Sequence, residues 1–127
     1  MAGLPRGLSA PATIFHIATR PEWDAASAAG RYVAKGYEAD GFIHLSTREQ
    51  VVRVANARFA GAADLVLLCV VVSRLTAPLR YEPGDPGSDE LFPHLYGPLN
   101  VDAVERALPF PEGPDGFALP ALPPQAA

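Results

Sequence analysis

The chain has 127 residues, of which 49% are hydrophobic and 19% charged, and its net charge is −4. A chain of this length suits one domain that buries enough apolar surface to fold without a disulfide or a structural metal. Its ten basic residues are spread along the sequence, which argues against a surface that binds duplex nucleic acid. The longest apolar run, residues 65–72, is far shorter than the ~20 residues that cross a bilayer, so we expect no membrane partner.

The cysteine content and the two ends of the sequence bear on location and domain limits. The one cysteine, Cys69, excludes an intramolecular disulfide and allows a reducing compartment. The start of the sequence lacks the apolar stretch of a signal peptide, so we expect a cytoplasmic protein. We predict a flexible arm over residues 1–11, one domain over 12–110 and a proline-rich tail over 111–127, disordered or draped on the surface. The sequence sets no oligomeric state.

The first predicted elements are a strand and a capped helix. Residues 12–18 have the β-branched and aromatic character of a short strand. Thr19 with Glu22 three positions later forms a capping-box pattern, and Gly30 ends the alanine-rich stretch that follows. Residues 31–41 show no sustained period and predict a loop, long enough to fold over a site.

A second strand and helix follow this loop. Residues 41–45 predict a strand, after which Ser46 and Thr47, each with a Glu or Gln three positions on, predict a helix cap. Residues 65–72 are apolar on both faces, which predicts the central strand of the sheet. A shorter strand is expected around residues 79–82.

The remaining segments complete an α+β pattern. Residues 83–90 are rich in turn-forming residues and predict a loop. Residues 92–97 return to an extended backbone, and the spacing of apolar residues over 101–108 predicts a brief helix.

Three histidines, His16, His44 and His94, are the strongest candidates for chemistry. Each lies on or beside a predicted strand between bulky apolar neighbours, where a polar ring needs a hydrogen-bond partner. Alternation along a strand turns His16 away from Phe15 and Ile17. We interpret the three together as the lining of one pocket, because imidazole donates and accepts hydrogen bonds near neutral pH.

Other polar residues could serve the same pocket. Ser46 and Thr47 lie at a strand-to-helix junction whose free backbone N–H groups could hold a phosphate. Glu82 is a candidate general base or ribose-binding carboxylate, or a solvated residue at a strand end. Tyr96 could stack on a flat ligand or pack in the core. The sequence contains no dinucleotide-binding glycine motif, no Walker loop and no nucleophile elbow.

Three motifs in a fixed order carry a resemblance to a known family. Residues 14–19, 41–47 and 92–99 resemble the bacterial domain-of-unknown-function family 952, over roughly residues 13–110. More remotely, the first two motifs resemble the ADP-ribosyltransferase-like fold, and within it the RNA 2′-phosphotransferases. Those proteins open with a histidine-bearing strand, a helix and a strand reading His-Leu-Ser.

The remote resemblance implies a fold and residue roles. The fold would be a split, mixed β-sheet of about six strands with flanking helices and a cleft between its halves. His16 would match the first-strand histidine that contacts ribose, and His44 with Ser46 would match the His-Leu-Ser segment. Glu82 is the best counterpart of the acidic residue of transferases, while the arginines of the phosphotransferases match no motif here.

Four functions follow as hypotheses. In the first, the cleft takes a small ligand such as NAD or ADP-ribose, with His16 and His44 on ribose or phosphate oxygens, Tyr96 stacking, and Glu82 or His94 as catalytic residues. The second is a sensor or binding module without catalysis. The third is a metal site formed by the three histidines, and the fourth is a purely structural or partner-binding role.

Overall fold

The structure is a computed structural model that describes residues 11–122. The predicted α+β class is confirmed. In chain order the helices and strands are β1 (Thr13–Thr19), α1 (Arg20–Ala29), β2 (Arg31–Tyr32), α2 (Tyr37–Asp40), β3 (Ile43–His44), α3 (Val51–Arg58), β4 (Leu65–Val71), β5 (Leu79–Pro83), β6 (Leu91–Leu95), β7 (Leu99–Asn100) and β8 (Val104–Pro109). Two 3₁₀ turns lie at Val72–Arg74 and Val101–Ala103.

The strands form three small sheets, ordered β1-β4-β8, β3-β6-β5 and β2-β7. Every pairing between these strands is antiparallel, whereas the remote resemblance implied a split, mixed β-sheet of about six strands. Strands β2, β3 and β7 have two residues each. Two residues are too few to show, by themselves, the alternation of polar and apolar side chains that identifies a strand in a sequence. A backbone bridge between Phe15 and Ser46 joins the first sheet to the segment that follows β3.

Strand β4 is the predicted central strand and separates two hydrophobic cores. Because successive side chains of a strand point to opposite faces, alternate residues of β4 enter different cores. One core takes Val66, Leu68 and Val70, and the other takes Leu65, Leu67 and Cys69. Burial raises the pKa of the Cys69 thiol to about 11, which suits a small core residue.

Helix α1 begins and ends where the sequence predicts. The Thr19 side chain accepts a hydrogen bond from the Glu22 N–H, and the Glu22 carboxylate accepts one from the Thr19 N–H at 3.1 Å. Gly30 ends the helix in the left-handed conformation, with φ at 87°. The capping box and the glycine therefore fix both ends of the helix that follows β1.

The second cap differs from the prediction. Ser46 is extended and exchanges two backbone hydrogen bonds with Phe15, each 2.8 Å long, so it cannot begin a helix. Thr47 begins a turn instead, in which its N–H donates to the Gln50 side chain at 3.0 Å. Helix α3 then starts at Val51, with Gln50 as its N-terminal flanking residue.

Two other predictions of local structure fail. Residues 31–41 form β2 and α2 in addition to loop, and β2 pairs with the distant β7. Residues 104–109 form β8 where a helix was expected over 101–108, because this segment pairs with the free edge of β4. Pairing with a distant strand outweighs a weak local period.

The described part of the tail packs on the domain. Phe117 is buried in the same core as Phe110, and the two rings lie 5.1 Å apart. The Phe117 N–H donates to the Asn56 side chain on α3 at 2.9 Å. The remainder of the predicted tail, and nearly all of the predicted arm, lie outside residues 11–122. Within these residues, no helix is both long and apolar enough to cross a membrane.

Candidate functional site

A cavity of about 460 Å³ lies along the edge of β1 that is not paired with β4. Its walls are mostly aromatic and aliphatic, and include Phe15, Tyr32, Phe42, Phe59 and Phe92. All three histidines line it, although they come from three different strands. The structure therefore brings together side chains that the sequence separates by up to 78 positions, from His16 to His94.

His16 faces the cavity with both ring nitrogens already bonded. Nδ1 lies 2.7 Å from the carbonyl oxygen of His44, and Nε2 lies 2.9 Å from the Tyr32 hydroxyl. A carbonyl only accepts, so Nδ1 carries the proton and Nε2 accepts from Tyr32. Burial lowers the pKa of His16 to about 4, while the bond to the His44 carbonyl opposes this effect. His16 is therefore a neutral ring with a fixed tautomer.

His44 is the solvent-exposed member of the three. Its Nε2 lies 3.0 Å from the carboxylate of Asp40, which ends α2 four positions earlier in the chain. Its ring lies 4.7 Å from that of Phe42, as expected for residues on one face of a strand. With 57% of its side chain exposed, His44 can meet a ligand at the mouth of the cavity.

His94 is the most buried of the three, with 3% of its side chain exposed. Its Nδ1 lies 2.9 Å from a carboxylate oxygen of Glu82, which also accepts a hydrogen bond of 2.5 Å from the Tyr96 hydroxyl. Phe42 stacks on the His94 ring with centroids 4.0 Å apart, and the His44 ring stands nearly perpendicular at 5.3 Å. His94 thus belongs both to the cavity wall and to a polar cluster behind it.

The predicted site residues divide into two groups. Ser46 lines the cavity with the three histidines, while Thr47, Glu82 and Tyr96 are absent from its lining. The backbone N–H groups of Ser46 and Thr47 are bonded to Phe15 and to the Gln50 side chain, so neither is free to hold a phosphate. Glu82 reaches the cavity only through His94.

The alternative of a three-histidine metal site finds no support in the geometry. Within residues 11–122, no group of three or more His, Cys, Asp or Glu side chains is arranged to hold a metal ion. His16 has no ring nitrogen free for a metal, because the Tyr32 hydroxyl and the His44 carbonyl use both.

The sequence analysis missed three residues that shape the site. Tyr32 and Phe42 line the cavity, and Asp40 orients His44. The four-residue spacing of Asp40 and His44 and the two-residue spacing of Phe42 and His44 were visible signals. Tyr32 gave none, because it lies in a two-residue strand within a segment that resembled a loop.

Comparisons with known proteins place the chain in a family. Residues 17–107 match the family model described as "Protein of unknown function (DUF952)". The chain belongs to this family. It is similar to protein CC0527 from Caulobacter crescentus, whose crystal structure is 43% identical in sequence, with a TM-score of 0.74 over 83% of this chain and 91% of that chain.

The solution NMR structure of CC0527 gives the same picture. It is 43% identical, and the match covers 84% of this chain and 90% of that chain with a TM-score of 0.71. No curated protein matches the chain. The comparisons thus establish the family and its fold, and they attach no activity to either.

Proposed function

We propose that the cavity binds a small ligand that carries ribose and phosphate, of the NAD or ADP-ribose type, within an ADP-ribosyltransferase-like domain. The observation that carries this proposal is the meeting of His16, His44 and His94 around one cavity. Each comes from a different strand, so sequence proximity does not account for their meeting. Polar groups that converge in a mostly apolar hollow are typical of ligand sites.

The size and the aromatic wall of the cavity suit such a ligand. Its volume of about 460 Å³ lies within the roughly 300–1,000 Å³ usual for small-molecule sites. The aromatic wall offers faces on which a base can pack. Lys35 and Arg58 line the cavity and are the cations that a diphosphate would contact. Glu22 and Asp85 line it too, and Asp85 lies 3.9 Å from Arg58, so a phosphate has to compete with this carboxylate for Arg58.

The order of the elements supports the fold proposal. Strand β1, which carries His16, is followed by α1. Strand β3 ends at His44, the first residue of the His-Leu-Ser segment. The cavity lies where these two histidine-bearing strands approach each other through the bridge of Phe15 and Ser46.

A non-catalytic binding module is favoured over a transferase by the position of Glu82. An acidic residue that stabilises a reacting ribose has to face the ligand. Glu82 instead binds His94 and Tyr96 and does not line the cavity. We therefore expect the protein to bind ADP-ribose, and to bind NAD without releasing nicotinamide. Chromatography after a long incubation with NAD will measure any nicotinamide released.

Thermal unfolding and NMR test the binding directly. A ligand at 100 times its dissociation constant stabilises the folded state by about 2.7 kcal/mol, so millimolar ADP-ribose should raise the melting temperature by several degrees. The imidazole resonances of His44 and His94 should shift in the same titration. If neither ADP-ribose nor NAD changes the melting temperature or these resonances, the proposal is wrong.

Two arginines of α3 provide a matched pair of variants. Arg58 lines the cavity, whereas Arg53 lies on the same helix, pairs with Glu90 and is outside the lining. Arg58→Ala should weaken ADP-ribose binding about tenfold, because one charge-assisted contact to phosphate is lost. Arg53→Ala should leave binding unchanged. Equal effects of the two substitutions would show that the ligand does not use this cavity.

A further inference from the structure

One nitrogen of the candidate site has no partner. His94 Nε2 is fully buried, and within residues 11–122 the structure gives it no hydrogen bond. The other ring nitrogen, Nδ1, is hydrogen-bonded to Glu82. Buried polar atoms without a partner are rare in folded proteins, and each calls for an explanation.

The surroundings of His94 indicate which ring nitrogen is left for a ligand. His94 lines the cavity, whereas Glu82, which is bonded to Nδ1, does not. Phe42 covers one face of the ring, with centroids 4.0 Å apart. Nε2 is therefore the nitrogen left for a ligand, and because it has no exposed surface, a side chain beside it has to move when the ligand binds.

The carboxylate of Glu82 selects the tautomer of a neutral His94 ring. Hydrogen bonds from the Tyr96 hydroxyl and from His94 hold the pKa of Glu82 below its usual range. An ionised carboxylate only accepts hydrogen bonds, so the proton of a neutral His94 lies on Nδ1. Nε2 then carries a lone pair and acts as an acceptor.

We propose that Glu82, oriented by Tyr96, positions His94 so that its Nε2 accepts a hydrogen bond from a hydroxyl group of the ligand. The inference rests on the proposed function and narrows it to ligands whose sugar hydroxyl reaches the floor of the cavity. His94 is a binding residue, while Glu82 and Tyr96 are positioning residues that act through it.

The tautomer of His94 in the ligand-free protein is the first test. Long-range ¹H–¹⁵N correlation spectra at pH 8 should show a protonated Nδ1 and an unprotonated Nε2. In Glu82→Leu no carboxylate holds the proton on Nδ1, so the Nε2-protonated form should become populated. The control Glu105→Leu makes the same change at an exposed position on β8 and should keep the wild-type tautomer.

The spectrum of the wild-type protein decides this step even if Glu82→Leu does not fold. A proton on Nε2 in the wild type overturns the inference. An unchanged tautomer in a folded Glu82→Leu variant overturns the role of Glu82.

ADP-ribose and inorganic pyrophosphate form the second test, because pyrophosphate carries no sugar hydroxyl. ADP-ribose should shift the His94 Nε2 resonance, pyrophosphate should not, and Glu82→Leu should weaken ADP-ribose binding about tenfold. Binding of ADP-ribose that leaves Nε2 unmoved overturns the inference and leaves the proposed function intact. Failure of ADP-ribose to bind at all contradicts the proposed function, whatever tautomer His94 adopts.

Discussion

At the scale of single residues, three histidines that look alike in the sequence have three different environments. Both ring nitrogens of His16 are hydrogen-bonded inside the protein, whereas only Nδ1 of His94 is. The ring of His44 is exposed to solvent and pairs with Asp40. The environment of an imidazole, and not its presence, decides whether it is a fixed part of the wall or a group that a ligand can use.

The low pKa of His16 predicts a pH dependence of stability. The unfolded chain takes up a proton near pH 6.5, whereas folded His16 does so only near pH 4. The unfolded state therefore binds more protons between these values, so the free energy of unfolding falls as the pH drops through this window. The total loss is about 3 kcal/mol, since one pKa unit corresponds to about 1.4 kcal/mol. Urea unfolding at pH values from 7 to 5 will measure the slope.

Variants separate this effect from the titration of other groups. His16→Gln removes the titrating ring and should flatten the slope between pH 6.5 and 5. His44→Gln alters an exposed ring and keeps the backbone carbonyl that His16 binds, so its slope should match the wild type. A wild-type slope in His16→Gln would mean that another group causes the acid destabilisation.

The residue pattern predicted part of the site. Alternation along β1 predicted that His16 points away from Phe15 and Ile17. Both neighbours are buried in the core that also contains Leu67. The contact of Glu82 with His94 could not be predicted, because it depends on the register between β5 and β6. That register pairs Glu82 with Phe92 and Arg80 with His94, and no local signal encodes it.

At the scale of elements, prediction succeeded where a local pattern was strong. The capping box fixed α1, and the continuous apolar run identified β4. Prediction failed for β2 and β7, which have two residues each, and for β8, which pairs with the edge of β4. Of the strand predicted over residues 41–45, the part Ile43–His44 forms β3. These elements depend on tertiary contacts that form only once the chain has folded.

The segment after β6 depends on a close approach between two residues. A Cβ atom added to Gly97 would lie 2.7 Å from the Cβ of Ala77, closer than van der Waals contact allows. Gly97→Ala should therefore lower the free energy of unfolding by about 2 kcal/mol, in the range usual for overpacking. Chemical denaturation measures this loss.

Ala77→Gly removes the atom that clashes. The double variant should be less destabilised than the sum of the two single variants, by about 1 kcal/mol or more in a double-mutant cycle. Simple additivity would mean that the backbone conformation of Gly97, and not this contact, requires glycine.

At the scale of the whole molecule, the packed domain extends beyond the predicted boundary at residue 110. Prolines made residues 111–127 resemble a tail, yet Phe117 lies in the core with Phe110 and α3. A single aromatic residue within a proline-rich segment produces no repeating pattern of apolar residues. The sequence alone therefore did not predict that Phe117 packs against Phe110.

Removal of the Phe117 ring should have the cost of a core substitution. Phe117→Ala should destabilise the protein by about 3 kcal/mol, because the ring leaves a cavity beside Phe110. Asp115→Ala alters an exposed residue two positions earlier and should change stability by less than about 0.5 kcal/mol. Denaturant unfolding compares the two, and equal stabilities would place residues 111–122 outside the cooperative unit.

The division of the interior by β4 has a consequence for how the protein tolerates change. Leu67 and Leu68 are neighbours in the chain, but their side chains belong to different cores on opposite faces of one sheet. Each core can be refilled with other side chains while the opposite one keeps its shape. The cavity, however, is lined from both cores, by Tyr32 and Leu45 of one and by Phe15 and Ile17 of the other, so refilling either core also reshapes the wall that a ligand would meet.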